Sequence, residues 1–229
     1  MNLIYKPLNF NMLLKQDQIN HMSIENPKLY EQMVTSLYLQ INAEAESWML
    51  VQDGEELSMD KICDILISPM DLRFDKKDIQ RKLTADLESE IQSDKDFEIL
   101  AELHGNMAHV IADICERYRY QLEYDFDFSL KDYIKRYDII LAAPEGAFLE
   151  KLMEYIPVVQ DLTGKNIFVL TGCGDYLTDD DLRHLNKWLG YQECYIVITG
   201  NRQRLLKEPL NEYIIPSLTL EQQKKPVIP

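Results

Sequence analysis

Leu29, Met33, Leu37 and Ile41 recur every four residues, a spacing that puts all four on one helical face. The run before them, QINHMSIE (18–25), has the length and β-branched content of a strand. Asn26-Pro27 lies between, and proline suits the first turn of a helix. The pattern therefore predicts a strand–turn–helix unit. Two short apolar runs, SWMLVQ (47–52) and KICDILIS (61–68), predict buried strands, and DKKDIQRKLTADLESEI returns to helical spacing at Ile79, Leu83, Leu87 and Ile91. Strands alternating with helices predict an α/β layer with parallel pairing.

The middle of the chain changes character. From Phe97 through Leu100, Leu103, Met107, Val110, Ile111, Ile114 and Tyr118 the helical spacing persists, about six turns or roughly 30 Å at 1.5 Å per residue. Two further helices are predicted, SLKDYIKRY and, after Pro144, EGAFLEKLMEYIPVVQDL, so that nearly all of 91–163 reads as helical. Beyond it, NIFVL and CYIVIT predict strands, and DDDLRHLNKWL between them predicts a helix capped by Gly190. The expected organisation is a discontinuous α/β head from 1–90 and 164–220, a helical leg over 91–163, and a loose tail, 221–229, rich in proline and charge. A long amphipathic helix outside a head needs a partner for its apolar stripe, so self-association is expected.

Composition narrows the function. The 229 residues, 46% of them hydrophobic, are enough for a real core. The formal net charge of −15 opposes general affinity for nucleic acid or anionic membrane, although it leaves room for a local basic face. Cys63, Cys115, Cys173 and Cys194 are scattered without a Cys-x-x-Cys pair, which signals reduced thiols rather than a zinc site or disulfide framework. No run approaches the roughly 20 apolar residues of a membrane span, so no membrane partner and a cytoplasmic location are expected.

The stretch LTGKNIFVLTGCGDYLTDDD contains the parts of a phosphate-binding loop in the wrong order. Such a loop needs a strand, then a glycine-rich turn, then Lys and Ser or Thr at a helix mouth. Here Gly164-Lys165 precedes the strand, and the turn after it, Gly172-Cys173-Gly174-Asp175, carries an acid in place of the lysine. The plainer reading makes Gly164 a helix cap and Thr178 to Asp181 the capped, acidic opening of the next helix. The first strand–turn–helix, SIENPKLYEQM, has no glycine in its turn and Pro27 lacks a donor. A nucleotide cofactor is not expected.

Two clusters carry candidate chemistry. In QLEYDFDFS, Glu123, Asp125 and Asp127 alternate with Tyr124, Phe126 and Phe128, which on an extended backbone gathers three carboxylates on one side. Hard oxygen ligands of this kind suit calcium, and the same alternation also describes a half-buried edge with a solvated acidic face. Basic residues concentrate at Arg73, Lys76, Lys77, Arg81 and Lys82 and at Arg202, Arg204 and Lys207. Lys77 and Arg81 lie one helical turn apart and form a short ridge able to touch phosphates. The histidines, His21, His104, His109 and His184, form no catalytic set, and no Gly-x-Ser-x-Gly occurs.

ICDILISPMDLRFDKKDIQRKLTADLESEI, QLEYD after the long helix, and LTGKNIFVLTGCGDYLTDDDL followed by YIVITGNRQRLL together resemble the type II-A CRISPR-associated adaptation proteins of the Csn-two family. The resemblance implies a degenerate P-loop-like head that holds no nucleotide, helical legs, a homotetrameric ring and structural calcium. It also implies non-catalytic, sequence-independent binding of double-stranded DNA ends during spacer acquisition, beside the CRISPR integrase proteins and the effector nuclease. By position it places the metal segment on Glu123 and Asp125 and a basic contact on Arg81, with Gln121 and Phe126 departing from the acidic pattern. Two rival readings stand beside it. One is an enzyme, a nucleotide hydrolase or a metal-dependent nuclease using the 123–127 carboxylates; the other is an α/β scaffold with no role on DNA.

Overall fold

The structure is a computed structural model that describes residues 1–93, 95–200 and 210–216. The chain forms two compact units, one from Met1–Arg73 with the chain from Ala143 onward, the other Phe74–Ala142.

The first unit is a mixed α/β structure with two sheets. Five parallel strands, β3 (Asn20–Ile24), β6 (Cys63–Leu66), β7 (Ile167–Thr171), β8 (Tyr195–Gly200) and β9 (Asn211–Ile215), are arranged in the order β6-β7-β8-β3-β9. Every residue of β3, β6 and β7 is buried, as expected for parallel strands covered on both faces. A smaller antiparallel sheet has the order β2-β1-β4-β5, from β1 (Asn2–Tyr5), β2 (Phe10–Leu13), β4 (Trp48–Gln52) and β5 (Glu55–Leu57). The parallel pairing predicted for SWMLVQ is therefore corrected: β4 turns back into β5 through Asp53-Gly54, both at positive φ (51° and 88°). Two left-handed residues between strands make the tight hairpin whose twist matches antiparallel partners.

One core joins the two sheets. Helix α1 (Pro27–Ile41) buries the four predicted residues, Leu29, Met33, Leu37 and Ile41, together with Tyr5, Trp48 and Leu50 of the small sheet and Met22, Ile65, Val169 and Val197 of the parallel one. Trp48 donates its indole N–H to Ser36 Oγ at 2.9 Å and stacks obliquely on Tyr5, with centroids 4.8 Å apart. The alternate residues Phe168, Leu170, Ile196 and Ile198 face the other way and are also buried. Helices α6 (Phe148–Thr163) and α7 (Asp179–Leu189) belong to this unit, with Leu152, Tyr155, Ile156 and Val159 buried on one and Leu182, Leu185 and Leu189 on the other. The short α2 (Met59–Ile62) leads into β6.

The second unit holds α3 (Lys77–Ser93), α4 (Asp96–Glu116) and α5 (Leu130–Arg136), with α3 packed on both others. The predicted boundaries move accordingly. Residues 74–90 go with the helical unit because α3 packs on α4 and α5. Residues 143–163 go with the α/β unit, where the Tyr155 hydroxyl donates to Asp64 of β6 at 2.7 Å. The expectation of near-continuous helix over 91–163 is corrected too, since 117–129 and 138–147 are not helical. Asp138 (φ 45°) and Gly146 (φ 97°) take left-handed conformations that a helix cannot continue through.

Asn20 is the polar node of the parallel sheet. It is 0% exposed, its Nδ2 donates to the carbonyls of Lys15 (2.9 Å) and Ile196 (3.0 Å), and its Oδ1 accepts from Lys15 N–H (2.8 Å) and Asn211 Nδ2 (2.7 Å). Replacing it strands several buried donors and acceptors at once. Asn20→Ala is expected to lower unfolding free energy by about 2–4 kcal/mol in urea titration, with the slope against denaturant unchanged.

Candidate nucleic-acid interface

The reversal of strand order beside β3 is the place where open α/β sheets hold ligands. There the turn is closed by its own side chain: Asn26 Oδ1 accepts from the N–H groups of Lys28 (3.0 Å) and Leu29 (3.1 Å), and Pro27 has none to offer. The second phosphate-loop candidate is likewise committed internally. Gly164 (φ 75°) ends α6 and donates to Gln160 O at 2.8 Å. Lys165 Nζ lies 3.9 Å from Asp64 Oδ1, both little exposed. At α7, Thr178 and Asp181 exchange hydrogen bonds as a capping box, and the Thr178 hydroxyl and N–H hold the Asp181 carboxyl below the usual range. Gly190 occupies the C-cap of α7 at φ −60°, a conformation open to any residue.

Three of the four thiols are buried. Burial pushes Cys63, Cys173 and Cys194 up to about 12, and Cys173 points its sulfur at Leu66 O, 3.6 Å away. The histidines that look isolated in sequence have partners. His21 Nδ1 lies 3.5 Å from Glu212 Oε1. His104 Nε2 meets Phe126 O at 2.8 Å and its Nδ1 lies 3.3 Å from the Tyr133 hydroxyl. An Nε2–H donor and an Nδ1 acceptor satisfy both contacts and tie α4 to the 123–127 segment and to α5.

That segment has no regular secondary structure, with Glu123, Asp125 and Asp127 exposed, Phe126 and Phe128 half-buried, and Tyr124 exposed rather than half-buried with the other two aromatics. Asp125 Oδ1 accepts the N–H of Asp127 at 3.1 Å. Among the described residues of one chain, no three His, Cys, Asp or Glu side chains gather in a metal-holding group. The three carboxylates thus do not form a calcium cage by themselves.

The basic candidates fare differently from one another. Arg202 and Arg204 lie outside the described residues. Lys76 is half-buried and Lys82, though exposed, does not line the groove described next. Lys77 and Arg81 do: with Gln80 and Thr84 they form one wall of a groove of about 480 Å³, and Lys131, Ile134 and Lys135 of α5 form the other. Four cations from two helices therefore converge on one groove, with Asp138 the sole carboxylate among its lining residues. Their local order has clear causes. Gln80 donates to Phe74 O at 2.9 Å at the start of α3, Ser129 Oγ caps α5 by accepting from Asp132 N–H, and Leu130 and Ile134 are buried beneath. Lys131 and Lys135 were missed in sequence although they repeat the four-residue spacing of Lys77 and Arg81; nothing along the chain says that the two ridges face one space. A larger cavity of about 860 Å³ beside α1 has the wrong charge for phosphate, being rimmed by Glu44, Glu46, Glu56 and Asp60 against Lys6.

Comparison with known proteins places the chain in a family. A family model described as "CRISPR-associated protein (Cas_Csn2)" matches residues 40–217. The chain belongs to this family. The CRISPR-associated protein Csn2 of Streptococcus agalactiae is 23% identical over 203 residues, covering 87% of this chain and 86% of that protein. The crystal structure of Stu0660 of Streptococcus thermophilus superimposes with a TM-score of 0.59 at 14% identity, covering 93% of this chain and 74% of that one, which shows a shared fold. Membership puts the protein in CRISPR adaptation. Among the described residues no helix is long and apolar enough to cross a membrane.

The burial of the thiols has a direct readout. With an acidity near 12, only about one molecule in ten thousand carries a given one of these thiolates at pH 8. Iodoacetamide at that pH should modify Cys115, which is partly exposed, and leave the other three until the protein is unfolded. Mass spectrometry of the native and urea-treated protein distinguishes one adduct from four.

Proposed function

We propose that this Csn2-family protein grips the ends of double-stranded DNA through phosphate contacts, sequence-independently and without catalysis, and presents them to the CRISPR integrase proteins beside the effector nuclease in the cytoplasm. The observation that carries this reading is the groove lined by Lys77, Arg81, Lys131 and Lys135 in a chain of net charge −15. Lysine and arginine on phosphates position a duplex without reading its bases, so such a groove gives affinity but no sequence preference. The internally capped turns at Asn26 and Thr178 favour the binding module over a nucleotide hydrolase.

An acidic protein must concentrate its few exposed cations, and repetition of one groove around a closed assembly does so. Helix α4 supports assembly: it buries no residue, and Leu103, Met107, Val110 and Ile114 are each more than half exposed in the single chain. An apolar stripe of this extent is the usual mark of an interface. The homotetrameric ring is the form in which we read it. Phosphate contact by these cations requires no calcium.

Each phosphate neutralised contributes roughly 0.9 to the slope of log affinity against log salt. Replacing Lys131 and Lys135 by alanine should therefore lower that slope by about 2 for a linear duplex, and replacing Lys77 and Arg81 should do the same. Anisotropy titrations between low and moderate salt measure it, and an unchanged slope in both double variants would show that the groove does not touch DNA. Equal affinity for linear and covalently closed duplex would refute recognition of ends.

A further inference from the structure

The groove between α3 and α5 is more than a row of cations. Its floor is Ile134, 5% exposed, and its lip is formed by Ile139 and Ile140, the latter 63% exposed. A track for backbone phosphates needs charge and has no use for an apolar wall. At about 480 Å³, the space lies within the roughly 300–1,000 Å³ range of pockets that enclose a whole small molecule. The lip is also deliberately placed. Asp138 follows α5 in a left-handed conformation (φ 45°) and its N–H donates to Lys135 O at 3.2 Å, so the chain turns and carries Ile139 and Ile140 along the groove. Asp138 is itself a lining residue, and its carboxylate can accept from amino or ring N–H groups.

Cations, an apolar wall and one acceptor describe the complement of a nucleotide: phosphate, flat base and donor-bearing edge. Inside a duplex the base faces are stacked and hidden, and the pair most easily opened is at an end. We propose that the groove seats one unpaired terminal nucleotide of the bound duplex. Its base lies against Ile139 and Ile140, and the adjoining phosphates contact Lys77, Arg81, Lys131 and Lys135. This seat rests on the DNA-end reading above and adds to it a reason why an end, rather than any stretch of duplex, is held. A free mononucleotide offers the same chemistry and is the alternative source of the ligand.

Anisotropy with one duplex core carrying three kinds of end tests the seat: blunt, a one-nucleotide 3′ overhang, and the same overhang without its base. The base-bearing overhang is expected to bind about fivefold tighter than the other two. Ile139→Ser with Ile140→Ser should abolish the gain, so that all three ends bind the variant with the same affinity. Both side chains are substantially exposed, and an unshifted melting temperature will verify that the variant folds. Equal binding of overhangs with and without the base, or a gain that survives in the serine variant, would overturn the seat while leaving phosphate gripping intact. Binding of deoxyadenosine monophosphate that is lost in the variant, with no overhang gain, would also overturn it by assigning the groove to free nucleotides. Failure of every duplex to bind would overturn the DNA reading and the seat together.

Discussion

The parallel strands β3, β6 and β7 are buried on both faces and leave no water for the groups at their entrances, and at the entrance of β3 the chain meets that constraint with the side chain of Asn20. From the first position of β3 it bonds the approach segment at Lys15, the neighbouring strand at Ile196 and the far strand at Asn211. Much else follows from this node. Its bond to Asn211 adds to the backbone pairing of β9 with β3, beside which the strand order reverses. The reversal in turn defines the crevice where a nucleotide protein would place its ligand, and here Asn26 and Pro27 close it. A second buried polar group, Asp64, accepts from Tyr155 and faces Lys165, so the lysine that advertises phosphate binding serves the interior instead.

Among the described residues, the cations that line one groove together lie in the helical unit. The difficulty there is electrostatic, because a net charge of −15 repels a polyanion at long range. Screening shortens that repulsion to about 10 Å in ordinary buffer, whereas cations in direct contact with phosphate act below it. Four of them on one groove can therefore prevail locally where the average surface cannot. The neighbouring architecture is consistent with this use. His104 joins α4, the 123–127 segment and α5 by hydrogen bonds to Phe126 and Tyr133, and aromatic contacts from Phe128 to Phe97 and Tyr133 reinforce them. The helix that carries Lys131 and Lys135 is thus held from below and from the side.

Periodicity in the sequence determined most of the elements. The four-residue recurrence of Leu29, Met33, Leu37 and Ile41 became the buried face of α1, and the apolar runs became β3, β4, β6, β7 and β8. Capping chemistry was equally readable at Gly164 and Thr178, because a cap is made by residues a few positions apart. Short, two-sided strands such as Asn2–Tyr5 and Phe10–Leu13 escaped notice because four residues hold too little alternation to stand out.

What only the tertiary structure decided is everything that joins distant segments. The sign of β4's pairing, the side of the unit boundary on which α3 and α6 fall, and the hydrogen bonds of His104 all depend on partners far along the chain. The groove is the clearest case. Lys77 and Arg81 formed a visible ridge in the sequence, and Lys131 and Lys135 formed another of the same spacing. Local spacing reports which residues share one helix face, since that follows from the helical repeat alone. Which two faces meet is set by side-chain packing between helices, and that information exists only in three dimensions.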